Sequence, residues 1–242
     1  MNAGRTARER ARAEITREIK DEARRQVAAV GAQQLSMRAV ARELGMVSSA
    51  LYRYFPSRDD LLTALIVDAY DSLGASAEAA ADAEPSGDVR RRWRAACHAV
   101  RAWAVAHPHE YALIYGSPVR GYQAPQETIG PAGRVAVVIG RLIRDSWNRG
   151  SPAMTADLTS PATLPSALAE QAARVAAGIA PGVPGPVIAR SLIAWTQLFG
   201  MISFELFGQL VGSADPADEF FAFAIEQMAD FVGLPAVLVT SS

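Results

Sequence analysis

The chain has 242 residues, half of them hydrophobic, which is ample for one large domain or two small ones with real cores. Its net charge of −1 hides a split: residues 1–58 carry twelve Lys or Arg against six Asp or Glu, and the remainder carries twelve against nineteen. A single cysteine, Cys97, excludes an internal disulfide and fits a reducing cytosol. The arginine-rich start lacks the apolar run of a secretory signal. The most apolar stretch, residues 187–211, contains Arg190 and Glu205 and leaves too short an uncharged segment to span a bilayer. A basic head on an acidic body points to a polyanion as the partner of the head, and to a cytoplasmic address.

Residues 1–14 read as a polar arm with Arg5, Arg8, Arg10 and Arg12, expected to be mobile in the absence of DNA. A first helix follows, with Ile15, Ile19, Ala23, Val27 and Val30 as its buried stripe and Gly31 as its stop. Residues 36–55, SMRAVARELGMVSSALYRYF, then read as two short helices joined by a tight turn. Met37, Val40, Ala41 and Leu44 recur at helical spacing, Ser36 caps their helix, and Gly45 ends it. In the second helix Leu51 and Phe55 pack back, while Ser48, Ser49, Tyr52 and Arg53 point outward. A helix–turn–helix presenting hydrogen-bonding groups, one aromatic and one cation suits the major groove of DNA.

The run GMVSSALYRYFPSRDDLL resembles the signature of the tetracycline-repressor (TetR) family of bacterial transcriptional regulators. Gly45, Leu51, Tyr52, Phe55, Pro56, Ser57 and Arg58 match it; Val47 departs where a serine cap is usual, Ser49-Ala50 replaces Gly-Thr, and Arg53-Tyr54 replaces Tyr-His. The resemblance covers roughly residues 15–75. It implies an all-α chain: a three-helix DNA-binding head and a C-terminal helical bundle that binds ligand and dimerises through its last two helices. The DNA-binding set expected is Ser48, Ser49, Tyr52 and Arg53 toward bases, with Ser36, Arg38, Tyr54 and Arg58 beside them; Ser36, Tyr54 and Arg58 are expected to anchor phosphates.

Pro56 breaks the chain and Ser57 caps a fourth helix, residues 58–80, expected to connect a DNA-binding domain at 1–58 to a ligand-binding and dimerisation domain at 81–242. A fifth helix spans 89–106, a short sixth surrounds 110–115, and residues 116–133 are too rich in Gly and Pro to be regular. Helices are predicted over 133–147, 166–177, 186–210 and 216–232, with a loop over 148–165. No strand pattern and no internal repeat is evident.

The ninth helix is apolar almost all round and needs two covers. One is its own domain; the other is a second copy of the chain, with a monomeric core as the plainer alternative. Leu206, Phe221, Ile225 and Met228 are the residues expected in a four-helix seam across a two-fold axis. The segment AWTQLFGMISFELFG is similar to a group of these regulators whose C-terminal domain bears a Trp-His-Gly-type signature, with Phe199 where the histidine stands. That substitution implies a less polar pocket. Trp103, Tyr111, Tyr115, Trp147, Trp195, Phe199 and Met201 are candidates to line it, between the fifth, seventh and ninth helices. Plain core packing is the competing reading for each.

No catalytic set, metal site or cofactor is expected. Pro108 separates His107 and His109, no carboxylate or cysteine has ligand spacing beside them, and neither a phosphate-cradling loop nor a nucleophile elbow is present. The expectation is a homodimeric regulator, by the resemblance a repressor, that binds palindromic operator DNA and is released by a small apolar molecule. A helical carrier or enzyme that borrows the fold is the alternative; it would have no need of the basic head.

Overall fold

A computed structural model describes residues 3–150 and 164–235. Among these residues there are ten α-helices and no strand. They are α1 (Ala3–Val30), α2 (Met37–Glu43), α3 (Ser48–Leu51), α4 (Arg58–Ala83), α5 (Val89–Ala106), α6 (Pro108–Tyr115), α7 (Ile129–Asn148), α8 (Ser166–Ile179), α9 (Gly185–Leu206) and α10 (Asp218–Phe231). The all-helical class expected from the sequence holds. Most of the expected 148–165 loop lies outside the described residues.

Local signals set the ends of these helices. Ser57 accepts a hydrogen bond at 3.1 Å from the Asp60 N–H, and Asp59 and Asp60 occupy the first turn of α4, where the helix dipole favours acids. Pro108 opens α6 in the first turn, where its missing N–H costs nothing. Gly208, at φ 77°, turns the chain out of α9 earlier than the apolar pattern suggests, so α9 closes at Leu206 rather than near 210. The N-terminal arm is helical: α1 begins at Ala3 and runs for 28 residues.

The chain divides into two compact units, Met1–Asp71 with His107–Ala132, and Ser72–Ala106 with Gly133–Ser242. The division falls inside α4, which contributes residues to both units, and residues 107–132 belong with the head. The reason is packing that the local pattern does not show. Val119 is buried in the head core, with Leu113, Ile114 and Tyr122 against it. The Tyr122 hydroxyl lies 2.9 Å from Thr63 Oγ1, and Tyr70 Oη donates to the Ile114 carbonyl at 3.2 Å. The rest of that core is Ile19, Val40, Leu51, Phe55, Leu61, Leu62 and Leu65, drawn from α1 to α4.

The second unit is organised around Trp93, fully buried, whose indole N–H donates to the Ile225 carbonyl at 3.0 Å and seats α5 on α10. Arg90 binds α10 from the same side, with Nε 2.8 Å from Glu226 Oε2 and Nη1 2.5 Å from Asp230 Oδ1. Arg101 grips Glu205 of α9 through two bonds of 2.7 and 2.6 Å and Asp218 of α10 at 2.9 Å. These carboxylates hold the guanidinium protonated, its pKa raised above the ordinary arginine value. By length and composition α9 could cross a bilayer. Here it is a core helix: Ile188, Leu198, Phe199 and Ile202 are buried in its own unit, and Glu205 is paired.

Candidate nucleic-acid interface and ligand cavity

The Ser36 hydroxyl accepts from the Ala39 N–H at 3.4 Å and opens α2 as expected. Gly45, at φ 64°, supplies the left-handed residue at its end, and the Met46 N–H returns to the Ala41 carbonyl at 2.8 Å. Val47 leaves α3 without a side-chain cap, and α3 itself is one turn, Ser48–Leu51. Beyond it the spiral tightens: the Arg53 N–H bonds Ala50 at 3.2 Å and the Tyr54 N–H bonds Leu51 at 2.9 Å. Leu51 and Phe55 are buried in the head core. Ser49, Tyr52, Arg53 and, on α2, Arg38 are exposed, and Ser48 is half-exposed. Tyr52, 45% exposed beside the exposed Arg53, faces outward as the sequence implied.

Arg58 departs from its expected role. Its Nη2 donates to the Ala32 carbonyl at 2.7 Å and to Gln33 at 3.2 Å, and its Nε donates to Leu35 at 3.1 Å. The guanidinium ties the turn after α1 to the start of α4, because the carbonyls of Ala32, Gln33 and Leu35 in that turn converge on it; Nη1 meets Asp59 at 3.3 Å. It is a structural brace rather than an outward cation. Tyr54 is half-buried against the head core, with the Arg12 guanidinium 5.0 Å over its ring. Arg12 also donates to the Arg53 carbonyl at 3.2 Å. Sequence reading missed this link, since the arm was expected to be mobile; the four-residue spacing of Arg8 and Arg12 was the available signal.

In the second unit a cavity of about 310 Å³ lies between α7, α8 and α9. Its wall is almost wholly apolar, with Ile139, Ile143, Val175, Ile179, Ile188 and Trp195 prominent. Ser191, whose hydroxyl donates to the Val187 carbonyl at 2.8 Å, and Arg174 are its polar residues. Of the seven expected lining residues only Trp195 lines it. Phe199, edge-on to Trp195 at 5.4 Å between ring centroids, is buried one turn along. Trp103 is held elsewhere by a 2.9 Å bond from its indole N–H to Ser72 Oγ. Trp147 is half-buried outside the lining. Tyr111 and Tyr115 stack on each other in the head unit, 5.1 Å apart, with Tyr70 against Tyr115; burial pushes the Tyr115 hydroxyl pKa up. Met201 lies on the other side of α9, in a groove with Phe204 and Phe220. The α8 helix takes the place expected of α5, because Gly140 of α7 lets it approach: a Cβ there would sit 2.7 Å from the Ile179 carbonyl oxygen.

Phe221, Ile225 and Met228 are buried within their own unit, and Leu206 is half-buried. The exposed large apolar residues are instead Ile193 and Phe204 on α9, Phe220, Phe223 and Phe231 on α10, and Phe207 just past α9. The bonds from Trp93 and Arg90 to α10 fix that choice of face. Cys97 is buried, and burial pushes its thiol pKa well up, so it is not poised as a nucleophile. Burial and then Arg101 hold His98 below the ordinary histidine value.

Comparison with known proteins bears on this architecture directly. Residues 19–65 match the model for bacterial regulatory proteins of the tetR family, and residues 93–228 match the tetracyclin repressor-like C-terminal domain. The chain is a member of the TetR family of transcriptional regulators. Among its relatives, the HTH-type transcriptional regulators Mb1846 of Mycobacterium bovis and Rv1816 of Mycobacterium tuberculosis are each 40% identical over 202 residues, covering 82% of this chain and 83% of theirs. The crystal structure of SCO4313 superposes with a TM-score of 0.70 at 34% identity, covering 91% of this chain and 97% of that one. The TetR-family regulator PfmR from Thermus thermophilus shares the fold, with a TM-score of 0.56 at 17% identity over 90% of this chain and 99% of that one. For a TetR-family chain, DNA binding is implied.

Proposed function

We propose that this regulator is a homodimeric repressor whose two heads bind a palindromic operator and whose release is triggered by a small apolar molecule in the α7–α8–α9 cavity. The observation that carries the reading is the outward surface of α2 and α3, with Ser49, Tyr52, Arg53 and Arg38 exposed above a buried Leu51–Phe55 underside. Ser48, Ser49, Tyr52 and Arg53 are the base-reading set, with Arg38 beside them and Ser36 and Tyr54 at the flanks; the Arg58 brace makes no phosphate contact in this reading. One such head covers about half of an operator, and two on a two-fold axis set their helices in successive major grooves, about 34–36 Å apart. The exposed phenylalanines of α9 and α10, with Phe204 and Phe220 lining one groove, support the dimer, since large apolar side chains left together in water mark an association surface. The largely apolar lining supports an apolar effector. An effector that binds better to a state with wrongly spaced heads weakens DNA binding by linkage, and DNA weakens effector binding equally.

Selection from random duplexes, followed by mobility-shift titration, tests the DNA reading. An inverted repeat bound by a dimer is the expected product; no enrichment, or a single unrepeated half-site, would refute it. Mass spectrometry of the purified protein tests the effector arm by whether a co-purified small molecule, added back, releases the shifted duplex.

A further inference from the structure

Residues 6–14 of α1 are exposed without exception. That is nine residues, about 14 Å of helix, burying nothing in a head core to which α1 first contributes at Ile15. A helical stretch with no apolar cover is marginal in water by itself. Its charges are the main feature it offers a partner: Arg8, Arg10 and Arg12 against Glu9 and Glu14, the latter already paired with Arg17. Arg12 determines where this segment runs. Its Nη2 donates to the Arg53 carbonyl at 3.2 Å, and its guanidinium lies 5.0 Å over Tyr54, so it touches the last reading residue and the one after it. The arginine-bearing helix therefore passes beside the end of the reading surface. Arg8 lies one turn farther out on the same face as Arg12, while Arg10 lies on the opposite face.

We infer that this exposed segment of α1 lies along the phosphate backbone of the duplex flanking each half-site, with Arg12 seating the helix and Arg8 contacting phosphate. The inference rests on the reading of the head as a DNA-binding module. A guanidinium fork matches phosphate oxygens, and such contacts carry position without sequence information. The segment therefore lengthens the protein's footprint without lengthening the recognised sequence. Arg12 is a positioning residue.

The test compares two duplexes that carry the operator recovered by selection. The short one ends at the last base pair whose identity is selected; the long one adds about ten base pairs, one helical turn, on each side. On the long duplex, Arg8→Ala is expected to make the salt dependence shallower by about 0.9 in log–log slope per head, so that wild type loses about threefold more affinity per head than the variant between about 50 and 200 mM salt. On the short duplex the two are expected to be alike. Arg10→Ala, with the same charge change on the other face, is expected to behave as wild type on both. Arg12→Lys, which keeps the charge and loses the fork, is expected to weaken the long duplex alone. Equal behaviour of Arg8→Ala and wild type on the long duplex, or an equal loss in Arg10→Ala, overturns the flank contact. A wild-type chain that binds neither duplex overturns the DNA reading, and the flank contact with it.

Discussion

Phe204 sits on α9 in the groove it shares with Phe220, and 56% of its surface is exposed in the single chain. With a phenylalanine presenting on the order of 200 Å², about 110 Å² of it is open to water. If a second copy covers that ring, Phe204→Ala removes roughly 2.5 kcal/mol per copy at about 25 cal/mol per Å². Both copies contribute across a two-fold seam, so the loss is about 5 kcal/mol per dimer. That corresponds to a dissociation constant raised by roughly three to four decades. Met228 provides the contrast: it is buried within its own unit, so Met228→Ala should cost about 2–5 kcal/mol of folding stability instead. Sedimentation velocity over a concentration series reads the association, and thermal unfolding followed by circular dichroism reads the fold. The expected pair is a folded monomer for Phe204→Ala and a destabilised chain for Met228→Ala. A Phe204→Ala variant that stays dimeric at nanomolar concentration would show that the seam lies elsewhere and would refute this account of the α9–α10 face.

Three further outcomes follow from the same structure. Arg58→Ala removes three donations to carbonyls of the turn after α1, so it should lower the head's unfolding midpoint while leaving the slope of log affinity against log salt unchanged; a slope shallower by about 0.9 would restore a phosphate contact. A molecule bound in the α7–α8–α9 cavity should quench tryptophan emission in wild type, Trp103→Phe and Trp147→Phe but not in Trp195→Phe, measured by fluorescence titration; retained quenching in Trp195→Phe would move the site. Hydrogen bonds from Arg94 and then Arg90 lower the Glu226 pKa, and the hydrogen bond from Arg134 lowers that of Glu78. Their stabilisation is present above the ordinary carboxylate value of 4.5 and is lost as pH falls through the lowered folded values. The unfolding midpoint should hold from pH 7 to about 5 and drop below it, with Glu226→Gln flattening the drop; a midpoint that falls between pH 7 and 5 would point to a different group.

Much of the head was legible in the sequence because its signals are local. Ser36, Gly45 and Ser57 each act on a backbone group within a few residues, and the stripe Met37, Val40, Ala41 with Leu51 and Phe55 has one apolar side. The outward residues of α3 follow by elimination. In the second half, apolar residues occupy more than one side of a helix, and periodicity cannot say which side faces inward. On α10, Phe220 and Phe223 compete with Phe221, Ile225 and Met228; the decision comes from Trp93 and Arg90, more than 130 residues away in the chain. The cavity likewise depends on which helix meets α7, and the close approach of Ile179 to Gly140 brings α8 rather than α5. Arg58 carries the same charge whether it faces solvent or backbone. Only the folded turn, which brings the carbonyls of Ala32, Gln33 and Leu35 to it across more than twenty residues, commits that charge to holding the head together.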